Sequence, residues 1–202
     1  MKLSDEWNLY LLDRGISSHL VPQYMSYIEK LTSQNIPVIF EVEHLAKLIG
    51  IEYRALNKMV YGTNDFYREF KIPKRSGGER IISAPYPSLL LCQSWIYESI
   101  LKSCSVHYSA HAYTTNKSIV TNAVQHLGAK ALLKMDMKDF FPSISINWVV
   151  NFFSNLGYSN NVSHALASIC CLDDGLPQGA STSPALSNIL LMSFDRRVCV
   201  LT

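Results

Sequence analysis

Through the first 64 residues the apolar positions recur at helical spacing. Leu20, Val21, Tyr24, Tyr27, Ile28 and Leu31 fall on one stripe, and Pro37 interrupts the chain beyond it. Val42, Leu45, Leu48 and Ile49 form a second, shorter stripe that Gly50 stops. Tyr53, Leu56, Met59 and Val60 form a third, stopped by Gly62. The period then changes. Phe66 to Ile72 alternates apolar and charged residues as a half-buried strand does, and Glu79 to Ala84 reads as a second strand. Between them Pro73-Lys74-Arg75-Ser76-Gly77-Gly78 is a hairpin turn. Helical spacing returns from about Ser88 to Lys102, with Leu90, Leu91, Trp95, Ile96 and Ile100 on the inward side. Ser118 is placed to cap a helix running to His126, and Gly128 closes it. Ala131 to Met135 reads as a strand with Asp136 at its end. Two helices come next, Ile144 to Leu156 with Trp148, Val149, Phe152 and Phe153 inward, and Asn160 to Leu172 with Leu166, Ile169 and Cys170 inward. Gly175-Leu176-Pro177-Gln178-Gly179 is a tight loop. Ser183 before Pro184 opens a last helix, which runs to Leu201.

This mixture predicts an α+β fold. With 202 residues, 48% of them hydrophobic, there is material for one large domain or two small ones, and a charged fraction of 17% argues against disorder. The net charge of +2 is too small to imply a nucleic-acid partner, so any basic surface must be local. Such a concentration stands at the hairpin, in Lys71, Lys74, Arg75 and Arg80. It is either a solvated tip or a finger that clamps phosphates. The five cysteines make no CxxC or Cys/His cluster and read as buried free thiols of a reducing compartment. No signal peptide is present, and no apolar run approaches the roughly 20 residues that span a bilayer, so a cytoplasmic protein with no membrane partner is expected. The sequence stops just after the apolar run Val198-Cys199-Val200-Leu201, which leads us to expect covering structure outside these residues.

Several local features each admit a structural and a functional reading. The two short helices about Gly50 fit a DNA-reading helix-turn-helix or a helical cap, and the cap is favoured because the second offers only Arg54, Asn57 and Lys58. His107 and His111 have a metal-ligand spacing in a context that favours structure. Asn122 and His126 share a helix face. A single Asp at a strand end most often caps a turn.

Specificity comes from an ordered set: Tyr67-Arg68-x-Phe70-x-Ile72-Pro73-Lys74, Gly77-Gly78-x-Arg80, Ser118 to Ala123, Asp136-Met137-Lys138-Asp139-Phe140-Phe141-Pro142-Ser143-Ile144, and Gly175-Leu176-Pro177-Gln178-Gly179-Ala180-Ser181-Thr182-Ser183-Pro184-Ala185-Leu186-Ser187-Asn188. Over about residues 65–202 this resembles the bacterial reverse transcriptases, most closely the retron type and related phage-defence enzymes. The resemblance implies a right-hand polymerase: a helical N-terminal segment over 1–64, fingers over 65–128 and an incomplete palm over 129–202. It implies an RNA template, a DNA or RNA primer and dNTPs as partners. Two Mg²⁺ ions roughly 4 Å apart would serve attack of a primer 3′-hydroxyl on the α-phosphate. Asp136 matches the first metal-binding aspartate, with the Met137 backbone carbonyl as a further oxygen. Phe141 matches the gate that rejects a 2′-hydroxyl. Gln178 and Gly179 match the loop beside the incoming nucleotide, Lys74 and Arg80 the grip on its triphosphate, and Arg75 that grip or a contact to template phosphate. Asp139 is expected to be structural.

Departures from the family pattern are also present. Ser181 stands where Pro is common, Ala112 where Gly is, and Lys117 where Arg is, which loses the bidentate fork. The Tyr-x-Asp-Asp hairpin and the thumb are absent, and Asp173-Asp174 precedes the Leu-Pro-Gln-Gly loop rather than following it. These 202 residues alone are therefore expected not to polymerise, the remaining carboxylates coming from a longer protein or a second chain. The rival expectation is a non-catalytic relic that binds RNA or a protein partner. Template-independent addition or protein priming is left open.

Overall fold

The computed structural model describes residues 3–74 and 77–200, with the backbone alone for Leu3 and Ser4. Four helices come first: α1 (Leu3–Asp13), α2 (Val21–Thr32), α3 (Val42–Ile49) and α4 (Tyr53–Tyr61). A hairpin of β1 (Tyr67–Pro73) and β2 (Glu79–Pro85) follows. The rest is helical: α5 (Pro87–Ser99), α6 (Ile119–Val124), α7 (Ile146–Leu156), α8 (Asn160–Cys170), α9 (Ser183–Leu190) and α10 (Met192–Val200). Glycines stop α3 at Gly50 and α4 at Gly62 as predicted. No helix among the described residues is long and apolar enough to cross a membrane.

The fold is assembled around α8. Val162, Ser163 and every residue from Ala165 to Cys170 are buried. A helix buried on nearly all sides is one that other elements surround. Its small side chains let α7, α3, α4 and α5 approach. Leu45, Leu56, Met59, Leu89, Ile96, Val149 and Phe153 join it in a single core. Burying each such side chain contributes about 1.5–3 kcal/mol. Leu31 of α2 belongs to the same core, while Leu11, Val21, Met25 and Ile28 make a small second cluster. α3 and α4, the candidate DNA-reading pair, thus spend their apolar faces on α8.

Polar pins set the helices against one another. Thr63 Oγ1 donates to the carbonyls of Met59 (2.6 Å) and Ser168 (3.2 Å). Tyr158 Oη donates to the Pro37 carbonyl at 2.9 Å. Gln93 Nε2 donates to Tyr67 Oη at 2.7 Å and to the Ile169 carbonyl at 3.0 Å, tying the root of β1 to α8.

The structure corrects four sequence expectations. On α5 the inward residues are Leu89, Cys92, Gln93 and Ile96, and Leu90 and Leu91 face solvent. Three consecutive leucines leave the helical phase open, and an inward glutamine disguises it. On α7, Trp148 is exposed whereas Val149 and Phe153 are buried. The last helix is two, because Leu191 leaves helical geometry, and its cap is Thr182 rather than Ser183. The fourth is the largest: Ala131 to Met135 is not a strand. It runs without regular structure and exposed, with Leu133 at 79% and Met135 at 66% of full accessibility. A strand needs a ladder partner, and among the described residues β1 and β2 pair only with each other.

Candidate functional site

The hairpin separates its charges by face. Directly opposed residues share a face, and the register pairs Arg68 with Ala84, Phe70 with Ile82 and Ile72 with Arg80. One face therefore carries Arg68, Phe70, Ile72, Ile82 and Arg80, without a carboxylate. The other carries Glu69, Lys71, Ser83 and Glu79, where Lys71 and Glu79 form an exposed ion pair at 2.7 Å. Lys71 is thus engaged. Lys74 and Arg80 are exposed and make no ion pair among the described residues. Lys74 also shapes the turn, its N–H donating to the Gly78 carbonyl at 3.0 Å. Arg75 lies outside the described residues.

Asp136 and Met137 lie on the exposed, irregular stretch that begins at Ala131. The chain then tightens. Asp139 takes φ 48°, a left-handed conformation that Asp tolerates, and Ser143 N–H bonds the Asp139 carbonyl at 2.9 Å. Asp139 is a turn former here. Phe140 and Phe141 stand 5.3 Å apart between ring centres, half-buried against the main core. Phe141 therefore sits on a compact turn with its ring held from behind.

The 172–179 loop bridges this turn and the hairpin. Leu172 and Gly175 exchange main-chain hydrogen bonds at 2.8 and 3.0 Å around Asp173 and Asp174, both left-handed, the geometry of a type I′ turn. Asn64 Nδ2 donates to Asp173 Oδ1 at 2.8 Å, so this carboxylate pins the turn. Leu176 N–H donates to the Ile144 carbonyl at 3.2 Å, and Ile146 N–H to the Asp174 carbonyl at 2.9 Å. At the far end Ser83 N–H of β2 donates to the Gln178 carbonyl at 2.8 Å. Gly179 has φ 130°, and a Cβ there would lie 2.5 Å from the Ser83 carbonyl oxygen. Only glycine fits. From behind, Ser183 Oγ donates to the Pro177 carbonyl at 2.8 Å.

Gln178, Gly179 and the root of the basic hairpin are thus brought together, and the Phe141 turn is attached to the same loop. Asp136 is not drawn into a cluster. Among the described residues no group of three His, Cys, Asp or Glu side chains is placed to hold a metal ion. One carboxylate and the Met137 carbonyl fall short of the oxygen set that Mg²⁺ demands, so the described residues do not by themselves form a Mg²⁺ site.

The segment ahead of α6 docks on α9: Asn188 Nδ2 donates to the Ala112 carbonyl at 2.8 Å. Lys117 donates to the Tyr108 carbonyl, a structural use of its side chain. His111 bonds Thr121 Oγ1 at 3.1 Å. Desolvation, then the charges of Lys117 and His126, lowers the His111 pKa. Asn122 and His126 stay exposed, and α6 ends at Val124, short of His126. Sequence reasoning missed Gln93 and Asn64 as supports of the site. Neither carries a local signal, since their partners lie far away in the chain.

Residues 72–200 match the family described as "Reverse transcriptase (RNA-dependent DNA polymerase)". The chain is 32% identical over 171 residues to the Retron Ec86 reverse transcriptase of Escherichia coli, covering 84% of this chain and 53% of that protein. It is 30% identical over 195 residues to the Retron Mx162 reverse transcriptase of Myxococcus xanthus (86% and 40%). Similarity to a putative intron protein of Saccharomyces cerevisiae is 28% over 179 residues (74% and 20%). The chain spans about half the length of the retron relatives it matches.

Proposed function

Since the chain belongs to the reverse transcriptase family, we propose that it forms the fingers and the first part of the palm of a retron-type RNA-directed DNA polymerase. Residues 1–64 serve as a helical leader, 65–128 as fingers and 129–202 as palm. The reaction is transfer of a nucleotidyl group from a dNTP to a primer 3′-hydroxyl, templated by RNA, in the cytoplasm. Lys74 and Arg80, with Arg75, grip the triphosphate. Gln178 and Gly179 flank the incoming nucleotide, and the Phe141 ring lies against its sugar. Asp136 and the Met137 carbonyl give part of the oxygen set for Mg²⁺. The rest comes from outside these 202 residues, from a longer chain or a second one.

The observation that carries this reading is the 172–179 loop. It holds the hairpin, one face of which bears arginines and no carboxylate, at Ser83 and the Phe141 turn at Pro142 and Ile144. A site that must fit phosphate, base and sugar at once needs such elements side by side.

The test is Mg²⁺-dependent dNTP incorporation on a primed RNA template by the longest product of the reading frame, compared with Asp136→Ala. Incorporation that Asp136→Ala abolishes is expected. Equal rates in the two proteins would remove Asp136 from the site. The rival reading, a non-catalytic RNA- or protein-binding relic, draws on the lone carboxylate and the uncovered apolar stretch 131–137. RNA binding without incorporation would favour it.

A further inference from the structure

Gly175 takes no part in the substrate contacts proposed for its loop, yet it is buried and pressed against the Phe141 turn. A Cβ on it would lie 2.6 Å from the Pro142 carbonyl oxygen and 3.1 Å from that residue's C and Cα. All three are backbone atoms, so no side-chain rotation relieves the contact. The backbone of Gly175 is not left-handed, so the need for glycine is one of space alone. The turn's internal bonds are Ser143 N–H to Asp139, Ile144 N–H to Phe141 and Ser143 Oγ to the Phe140 carbonyl. The main-chain bonds that leave it and the start of α7 go to this same loop, between Ile144 and Leu176 and between Ile146 and Asp174, with Ser145 bridged to Gly175.

We propose that Gly175 is a positioning residue for Phe141: its missing side chain sets the seat of the turn that carries the ring, and the Asn64–Asp173 bond holds that seat in place. This rests on the proposed role of Phe141 as the sugar gate. Adding a methyl group forces the turn to retreat by several tenths of an ångström, from 2.6 Å toward ordinary contact at 3.4 Å. The residue displaced, Pro142, is the neighbour of the gate. Gating depends on the ring occupying the volume of one hydroxyl, so a shift of this size weakens rejection of a ribonucleotide more than it slows use of a deoxyribonucleotide.

The experiment measures kcat/KM for a dNTP and the matching rNTP on a primed RNA template with the complete polymerase. Phe141→Ala is the reference and is expected to admit the rNTP. Gly175→Ala is expected to lower the dNTP/rNTP preference about tenfold, within the range that misplacement near 1 Å produces. Because Gly175→Ala is buried and can fail to fold, Asn64→Asp supplies a second arm. It sets a carboxylate against Asp173 at an exposed position, so the preference should fall about threefold at low salt and recover at high salt as the repulsion is screened. A general loss of activity with the preference unchanged in both variants overturns the positioning role. Failure of Phe141→Ala to admit the rNTP overturns the gate reading instead, and the inference with it.

Discussion

Gln93 offers the sharpest stability test, because its partners predict a change of sign. Its side chain is wholly buried, Nε2 serving Tyr67 Oη and the Ile169 carbonyl while Oε1 has no partner among the described residues. Ile169 lies in the last turn of α8, where carbonyls have no donor within the helix. Burial holds the Tyr67 hydroxyl protonated well above its usual range, the Gln93 hydrogen bond pulling the other way. Gln93→Leu strands both groups, at about 1–3 kcal/mol each. Against this it removes the orphaned Oε1, worth a similar amount, and adds apolar packing of about 1 kcal/mol. The net expected loss is about 0–2 kcal/mol. Tyr67→Phe alone leaves a Gln93 N–H unserved and costs about 1 kcal/mol. In the Gln93→Leu background the same change deletes a stranded hydroxyl, so it should stabilise by about 1 kcal/mol. Urea unfolding of the four proteins at 25 °C, with constant m values, gives the cycle. A Tyr67→Phe effect of the same sign and size in both backgrounds would refute the pin between β1 and α8.

Three further outcomes are expected. Arg68→Ala and Arg80→Ala should each weaken binding of single-stranded RNA and lower the slope of log K against log salt by about 0.7, whereas Lys71→Ala, paired with Glu79 on the opposite face, should leave it nearly unchanged; equal slopes in a filter-binding titration would refute the facial separation. Burial pushes the Cys92 thiol from 9.0 up to about 11 and Cys170 up to about 12, so the folded state keeps protons that the unfolded chain releases. That stability is complete below pH 9 and lost as pH rises through 11 to 12. The urea midpoint should therefore fall from pH 9 to 10.5, and fall less in Cys92→Ala/Cys170→Ala; an identical fall in both proteins would assign it to other groups. Leu166→Ala, in the fully buried middle of α8, should cost about 2–5 kcal/mol by calorimetry or urea melt, and a loss under 1 kcal/mol would deny α8 its central place.

What could be read from sequence was whatever is set locally. The stripes ending at Gly50 and Gly62, the alternation around the hairpin and the Ser118 cap each lie close in the chain to what they bond, and each is found. The site was legible as a set of motifs in order, but not as an arrangement. Nothing near Gly175 announces Pro142, and nothing near Gly179 announces Ser83; those contacts cross from one motif to another. The phase of α5 failed for the same reason. Its inward glutamine is explained by Tyr67 and Ile169, which no helical period contains.

The stretch 131–137 carries this distinction furthest. Its apolar run ending in an acidic residue reads as a strand, and it is the one predicted strand that does not form. A helix closes its hydrogen bonds within itself, so α7 and α8 form wherever their apolar faces find cover. A strand closes none of its own, and β1 exists because β2 follows after a short turn. Leu132, Leu133, Met135 and Met137 have no such neighbour among the described residues, and they stand exposed with their backbone unpaired. Asp136 therefore inherits its position from whatever pairs with this stretch. On the proposed polymerase reading, a segment that pairs there and carries the missing carboxylates would cover the apolar surface and complete the oxygen set in one structural event. Added in trans, a segment that restores Mg²⁺-dependent incorporation should also protect the amides of residues 131–137 from hydrogen exchange. Restoration without protection would separate the two.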